Sequence, residues 1–244
     1  MSQEKTSKRQ ERRAKMQRQR QQQRWIIIGF IVLVVAFLAV IVYSQRKPPG
    51  DIFKVTPAAL PNPNGLSLGD ANAPVTIDVF EDFQCPACKS FTENIEPLVI
   101  ENLVTPGKAR YTFHQYSFID GEGASNGGES DQAANASMCA NEQGKFWEMH
   151  ASLYANWNGE NQGAFRDSRL QAMAESIGLD MNAFNTCFKD NKYKKEIQAD
   201  YDLGKQMGVN GTPTVFVNGV QAGQPGKIAT YDEIAQAVEQ ALNK

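Results

Sequence analysis

The stretch VTIDVFEDFQCPAC, Val75 to Cys88, decides the fold. Its first six residues, Val75–Phe80, are mostly β-branched or aromatic and predict a strand. From Pro86 the pattern turns helical. Phe91, Ile95, Leu98 and Val99 form an apolar stripe that ends before Pro106-Gly107. Cys85-Pro86-Ala87-Cys88 therefore lies where a strand gives way to a helix. A thiol at a helix N-terminus meets unsatisfied backbone N–H groups and the positive end of the helix dipole, which favour thiolate. Pro86 suits the first helical turn, where its missing N–H costs nothing. The C-x-x-C spacing brings Cys88 within reach of Cys85. Cys85 is expected to attack, with Cys88 as the buried resolving thiol.

Two blander readings compete. A zinc site needs four ligands, usually from a second C-x-x-C or a His pair. The remaining cysteines, Cys139 and Cys187, have 47 residues between them, and the only histidines are His114 and His150. No metal site is expected. A purely structural disulfide between Cys85 and Cys88 is the other alternative.

Ala109–Phe118 reads as a second strand after the helix, followed by a Gly-, Ser- and acid-rich loop. From about Ser130 to Gly208 the chain reads as helical, with Gly178 as a helix stop. Phe146 and Trp147 read as core, and His114 and His150 as packed or surface residues. Pro213–Val217 is a third strand, and Asn218-Gly219 after it is a strong hairpin signal. Thr230 and Glu233 form a capping box for a last helix with the stripe Tyr231, Ile234, Ala235, Val238 and Leu242. The order is that of an α/β sandwich with a helical insertion. Gly211-Thr212-Pro213-Thr214 opens the third strand about 125 residues after the C-x-x-C pair. A proline here donates no ladder bond, and a cis bond before it is one way to keep a strand start exposed and rigid.

In combination, APVTIDVFEDFQCPAC (residues 73–88), CANEQGKFWEMHASLY (139–154) and GVNGTPTVFVNG (208–219) resemble the DsbA-like branch of the thioredoxin superfamily. The resemblance covers roughly residues 66–244. It implies a thioredoxin fold with an inserted helical subdomain at about 119–208 and no small-molecule cofactor. Catalysis would be dithiol–disulfide exchange with cysteine-containing proteins. Thr212 and cis-Pro213 would lie beside Cys85, Thr212 would offer backbone hydrogen bonds to a substrate strand, and Pro86 and Ala87 would line the same face. Two positions depart from the pattern. Ala87 stands where the most oxidising relatives have His, so a milder oxidant is expected. Val79 stands where many relatives have a buried acid. Asp78, Glu81 and Asp82 are the candidates to accept the Cys88 proton, against the alternative that Glu81 and Asp82 are solvated acids near a loop. In an oxidising compartment Cys139 and Cys187 are expected to form a structural disulfide, against the alternative of two free buried thiols.

The N-terminus sets the expected compartment. Residues 1–24 hold nine of the 25 Lys/Arg and two of the 27 Asp/Glu, which leaves 16 basic against 25 acidic residues in the remainder. That acidic remainder argues against nucleic acid as a ligand. Trp25–Tyr43 carries no charge and as a helix would span about 28 Å, close to a bilayer's hydrocarbon core. Its aromatic ends and basic flank predict a single-pass anchor with a cytoplasmic N-terminus. A cleaved signal peptide is the alternative. Pro-rich residues 44–66 would then be a tether, leaving residues 67–244 as the domain outside the cytoplasm.

The function expected is a membrane-anchored, monomeric dithiol oxidase acting on exported proteins. A quinone-linked membrane protein, DsbB-like or VKOR-like, is the expected recycling partner. A reductase or isomerase would use the same residues, and a tethered module that only binds its partner is the alternative from another class.

Overall fold

Alternation along Val75–Glu81 (β2) sets the sheet. Val75, Ile77 and Val79 are fully buried on one face, while Thr76, Asp78 and Phe80 point to the other. In the computed structural model, which describes residues 23, 25, 27–38, 51–56, 59–121 and 127–243, β2 lies at the centre of a five-stranded sheet of order β1-β3-β2-β4-β5. Ser67–Leu68 (β1) pairs antiparallel with Ala109–Gln115 (β3), which runs parallel to β2. Thr214–Val217 (β4) pairs antiparallel with β2, and Val220–Gln221 (β5) closes the hairpin. The parallel β2–β3 pair needs a crossover, supplied by the helix Pro86–Asn94 (α1).

The register carries side-chain parity across the sheet. Ile77 pairs with Tyr111 and Val217, and Val79 with Phe113 and Val215. These residues share one core with Phe91 of α1 and with Ile234 and Val238 of the last helix, Tyr231–Leu242. The Thr230–Glu233 capping box that starts this helix forms as the sequence predicts. The opposite face packs Phe80, Tyr116 and Phe216 against Tyr201.

The helix after Pro86 is not continuous. It breaks at Ile95 and resumes as Glu96–Val99 (α2), then widens into a π-type turn over Ile100–Val104. Pro97 explains the break, since it has no N–H for the preceding turn and its ring crowds that turn's carbonyl. The changed phase turns Glu96 inward and leaves Leu98, expected on the buried stripe, 41% exposed. The second strand also stops earlier than expected, at Gln115 rather than Phe118. The Asp82 carboxylate takes the N–H groups of Phe118 and Ile119 and draws the chain out of the ladder.

Among the described residues, the insertion holds five helices: Glu129–Asn141 (α3), Phe146–Ala155 (α4), Asp167–Ser176 (α5), Met181–Lys189 (α6) and Lys194–Gln206 (α7). Gly178 at φ +74° ends α5, with Leu179 N–H bonded to the Ala174 carbonyl. Cys139 of α3 and Cys187 of α6 are joined by a disulfide with S–S 2.01 Å. Gly204 of α7 is required by close approach, because a Cβ there would stand 2.7 Å from the Tyr116 ring.

The chain divides into two units, Met1–Pro48 and Pro49–Lys244. In the first, residues 27–38 are helical with exposed apolar side chains. No helix among the described residues is long and apolar enough to cross a membrane. The expected span Trp25–Tyr43 extends beyond them, since residues 26 and 39–43 lie outside.

His114 fastens α7 to the sheet. It stacks on Phe80 at 4.6 Å between ring centroids and lies 3.1 Å from Asp78 and 3.2 Å from Asp200. Burial alone would lower its pKa, but the Asp200 and Asp78 carboxylates outweigh burial and raise it to about 9. A raised folded-state pKa means stability that is full below about pH 6.5 and lost as pH rises through about 9. His114→Gln should therefore lower the melting temperature most below pH 6.5, by an effect on the order of 2–3 kcal/mol. The gap between wild type and variant should narrow by pH 10. A gap independent of pH would show that packing on Phe80, not charge, is what the variant loses.

Candidate active site

The end of β2 and the start of α1 place the dithiol. Cys85 is the N-cap of α1, in extended conformation with φ −70° and ψ 122°. Pro86 is exposed and Ala87 partly exposed. Cys85 is 6% exposed and Cys88 fully buried one turn along the helix. Both are free thiols in this structure. The β2–β4 register, Phe80 against Thr214, brings the start of β4 beside the end of β2. Hence the Thr212–Pro213 loop meets Cys85 although some 125 residues separate them in sequence. The Thr212–Pro213 peptide is cis. The Cys85 thiol donates to the Thr212 carbonyl at 3.3 Å, and the Thr214 hydroxyl braces the loop on the Gly211 carbonyl at 2.7 Å. A groove of about 260 Å³ opens beside the thiol, lined by Ala87, Asn210, Thr212, Pro213 and Ile228 among others.

The surroundings treat the two sulfurs oppositely. Cys85 is lowered to about 6, chiefly because Cys88 donates to it. Burial works against this, while the Thr212 hydroxyl and the N–H groups of Cys88 and Ala87 add to it. Cys88 is pushed well up, first by burial, then by donating to Cys85, then by the nearby Glu81 carboxyl. The Thr212 hydroxyl is buried, has no partner of normal hydrogen-bond geometry, and favours thiolate on both sulfurs. The arrangement can hold one thiolate at the surface and one thiol beneath it.

Of the three acids the sequence offers, the sheet assigns each a different place. Glu81 follows Val79 on the inward face of β2 and is fully buried, so it is not a solvated loop acid. It accepts from Tyr154 at 2.8 Å and Tyr111 at 3.4 Å. Burial, then the neighbouring Glu96 carboxyl, raise its pKa well above the usual range. Asp78 lies on the opposite face with His114. Asp82 is also buried and works as a hub, accepting from Ser130 at 2.7 Å, Gln84 N–H at 2.8 Å and Phe118 N–H at 2.9 Å. Gln84 extends that hub into the insertion. Its amide donates to Asp120 at 2.8 Å, and its backbone carbonyl accepts from the Trp157 indole at 2.7 Å.

Sequence reading did not find Glu96, Tyr111 and Tyr154 as neighbours of the site, although the alternation Val75, Ile77, Val79, Glu81 is a signal for the inward acid. A carboxylate oxygen of Glu81, one of Glu96 and a ring nitrogen of His150 lie within 4.8 Å of one another.

A Thioredoxin family model matches residues 61–240. The chain belongs to the thioredoxin family. Within it, the dithiol at a helix start, the facing cis-Pro loop and the helical insertion make it DsbA-like, of the thiol:disulfide oxidoreductases. The chain is 26% identical over 219 residues to the probable disulfide bond formation protein D of Bacillus cereus, covering 88% of this chain and 93% of that one. The oxidised BdbD structure from Bacillus subtilis superposes with TM-score 0.65 at 26% identity, covering 78% of this chain and 100% of that one. This chain is also 36% identical over 151 residues to the Na(+)/H(+) antiporter NhaA 3 of Salinispora tropica. That match covers 62% of this chain but only 21% of the antiporter's length.

The opposed thiol environments predict distinct alkylation profiles for the reduced protein. Iodoacetamide should label Cys85 with an inflection near pH 6, and Cys88 should stay unlabelled to pH 9 while the fold is intact. Because the Cys85 pKa is depressed from about 9 to about 6, its stabilising charge is full above pH 9 and lost as pH falls through 6. Cys85→Ser should accordingly cost the reduced protein more stability at pH 8 than at pH 5. Equal labelling of both cysteines, or an inflection near 8.5, would contradict this assignment.

Proposed function

We propose that the chain is a dithiol oxidase that introduces disulfides into exported proteins through the Cys85–Cys88 couple, anchored to the membrane with residues 67–244 outside the cytoplasm. The observation that carries the reading is the asymmetry of the thiols: a thiol at a helix N-terminus that keeps one exposed side beside the Thr212–Pro213 loop, above a fully buried one. Stabilising the reduced form in this way favours donating the disulfide rather than accepting one. The uncharged Trp25–Tyr43 stretch beside a basic flank supports the anchor.

The steps follow from access. A substrate thiolate attacks the Cys85 sulfur, the only one of the pair with an exposed side. The Cys85–Cys88 bond breaks, a substrate–Cys85 disulfide forms, and Cys88 leaves as a thiolate that takes up a proton because its burial disfavours charge. A second substrate thiolate then attacks the substrate sulfur of the mixed disulfide and releases Cys85 as a stabilised thiolate. Substrate is oxidised by two electrons and the enzyme reduced by two. The Thr212 backbone, beside Cys85 and ahead of β4, offers hydrogen bonds to an extended substrate segment. Regeneration of the disulfide calls for an external oxidant, and a quinone-linked membrane protein of DsbB-like or VKOR-like type would suit an anchored enzyme.

Cys88→Ser should accumulate mixed disulfides through Cys85, visible on non-reducing gels of the full-length protein in cells, whereas Cys85→Ser should give none. Trapping through Cys88 alone would reverse the roles, and trapping in neither variant would favour a binding module.

A further inference from the structure

Glu81 is near enough to the dithiol for its carboxyl to bear on Cys88, and from it a chain of ionisable side chains leads through Tyr111 to Glu96 at a second opening. Glu81 is sealed, whereas Glu96 is 7% exposed and lies in a groove of about 520 Å³ with Thr92, Pro97 and His150 in its lining. This groove shares no lining residue with the one beside Cys85. Tyr111 bridges the two carboxyls, its hydroxyl 3.4 Å from Glu81 Oε1 and 3.4 Å from Glu96 Oε2. The Thr92 hydroxyl stands 3.5 Å from Glu81 Oε2. Two carboxyls so close and so buried cannot both ionise at low cost, so they hold a proton between them.

We propose that Glu96 is the outlet of a proton path from Cys88, by which Glu81 exchanges protons with water in the groove away from the substrate-facing surface. The inference rests on the oxidoreductase reading above and extends it. When Cys88 leaves as a thiolate, protonated Glu81 gives it a proton. Glu96 reprotonates Glu81 through the Tyr111 hydroxyl, which accepts one proton as it donates another. Glu96 then recovers its proton from water. Attack by Cys88 on a Cys85 mixed disulfide runs the path in reverse. A separate outlet has a physical rationale: a docked polypeptide closes the Cys85 side at the moment the proton must move.

The groups facing Glu96 support this direction. Burial raises Glu96 to about 8, with Tyr111 and Thr92 lowering it in part. His150 Nε2, 3.7 Å from Glu96 Oε2, has no hydrogen-bond partner, and burial lowers the imidazole to about 3, leaving it neutral. Tyr154 reaches Glu81 alone. Glu96 is the carboxyl of the pair with an exposed side, and its pKa of about 8 suits a relay working near pH 7.

The test is single-turnover oxidation of a dithiol peptide by the full-length protein between pH 5 and 9, comparing wild type with Glu96→Gln and Glu96→Ala. Both variants should slow release of Cys88 by about 10-fold or more near pH 7 and lose the inflection near pH 8. The Cys85 thiolate absorbance should still titrate near pH 6. Formate should restore the rate of Glu96→Ala, since the groove admits a small acid, which repacking alone would not produce. Wild-type-like pH profiles in both variants, or slowing that formate leaves untouched, would overturn the outlet. Failure of wild type itself to oxidise the peptide would instead overturn the oxidoreductase reading.

Discussion

Within three residues the protein must stabilise a negative charge on one sulfur and refuse it to the next. Everything around the dithiol serves that constraint. The helix start gives Cys85 backbone N–H groups, and the single turn to Cys88 sends the second thiol inward, where burial holds its proton. The hydrogen bond from Cys88 to Cys85 joins the two effects, because the proton that the buried thiol keeps is the one that steadies the surface thiolate. The β2–β4 pairing then fixes the Thr212 carbonyl against Cys85 and its hydroxyl beside both sulfurs. Moving β2 by one residue would reverse its side-chain parity and send Glu81 to the outer face.

The insertion holds this geometry from the other side. Asp82 and Gln84, between β2 and Cys85, are bonded to Ser130, Asp120 and Trp157. Burial raises Asp82 from its usual value even though four hydrogen bonds favour its charge. A carboxylate held there at such cost is best understood as a clamp on the active-site loop. The Cys139–Cys187 disulfide fastens two helices of the same subdomain.

Much of this was legible in the residues. VTIDVF, the C-x-x-C pair, the Thr230 capping box and the GTPT turn each have a local physical cause, and the structure forms the elements they predict. What escaped was set by distant contacts. Ending the second strand at Gln115 depends on Asp82, some 35 residues earlier, claiming the N–H groups that follow. Pro97 lies inside a stripe whose spacing reads as one helix, and that a break there turns Glu96 inward depends on α4, whose His150 stands 3.7 Å from the Glu96 carboxyl. His150, read as a packed or surface residue, is wedged among Phe83, Phe113 and Trp147. Glu81 could have been assigned from strand parity alone. The resemblance left it one of three candidate acids, because the position it marks is Val79, on the same face one pair earlier.

The central claim is that stabilising the Cys85 thiolate over a protonated Cys88 makes the reduced form favourable. The most direct measurement is the equilibrium potential of the Cys85/Cys88 couple against glutathione at pH 7. A value above about −200 mV, in the range of disulfide-donating proteins, is predicted. A value at or below about −270 mV, where thioredoxin-type reductants lie, would contradict it.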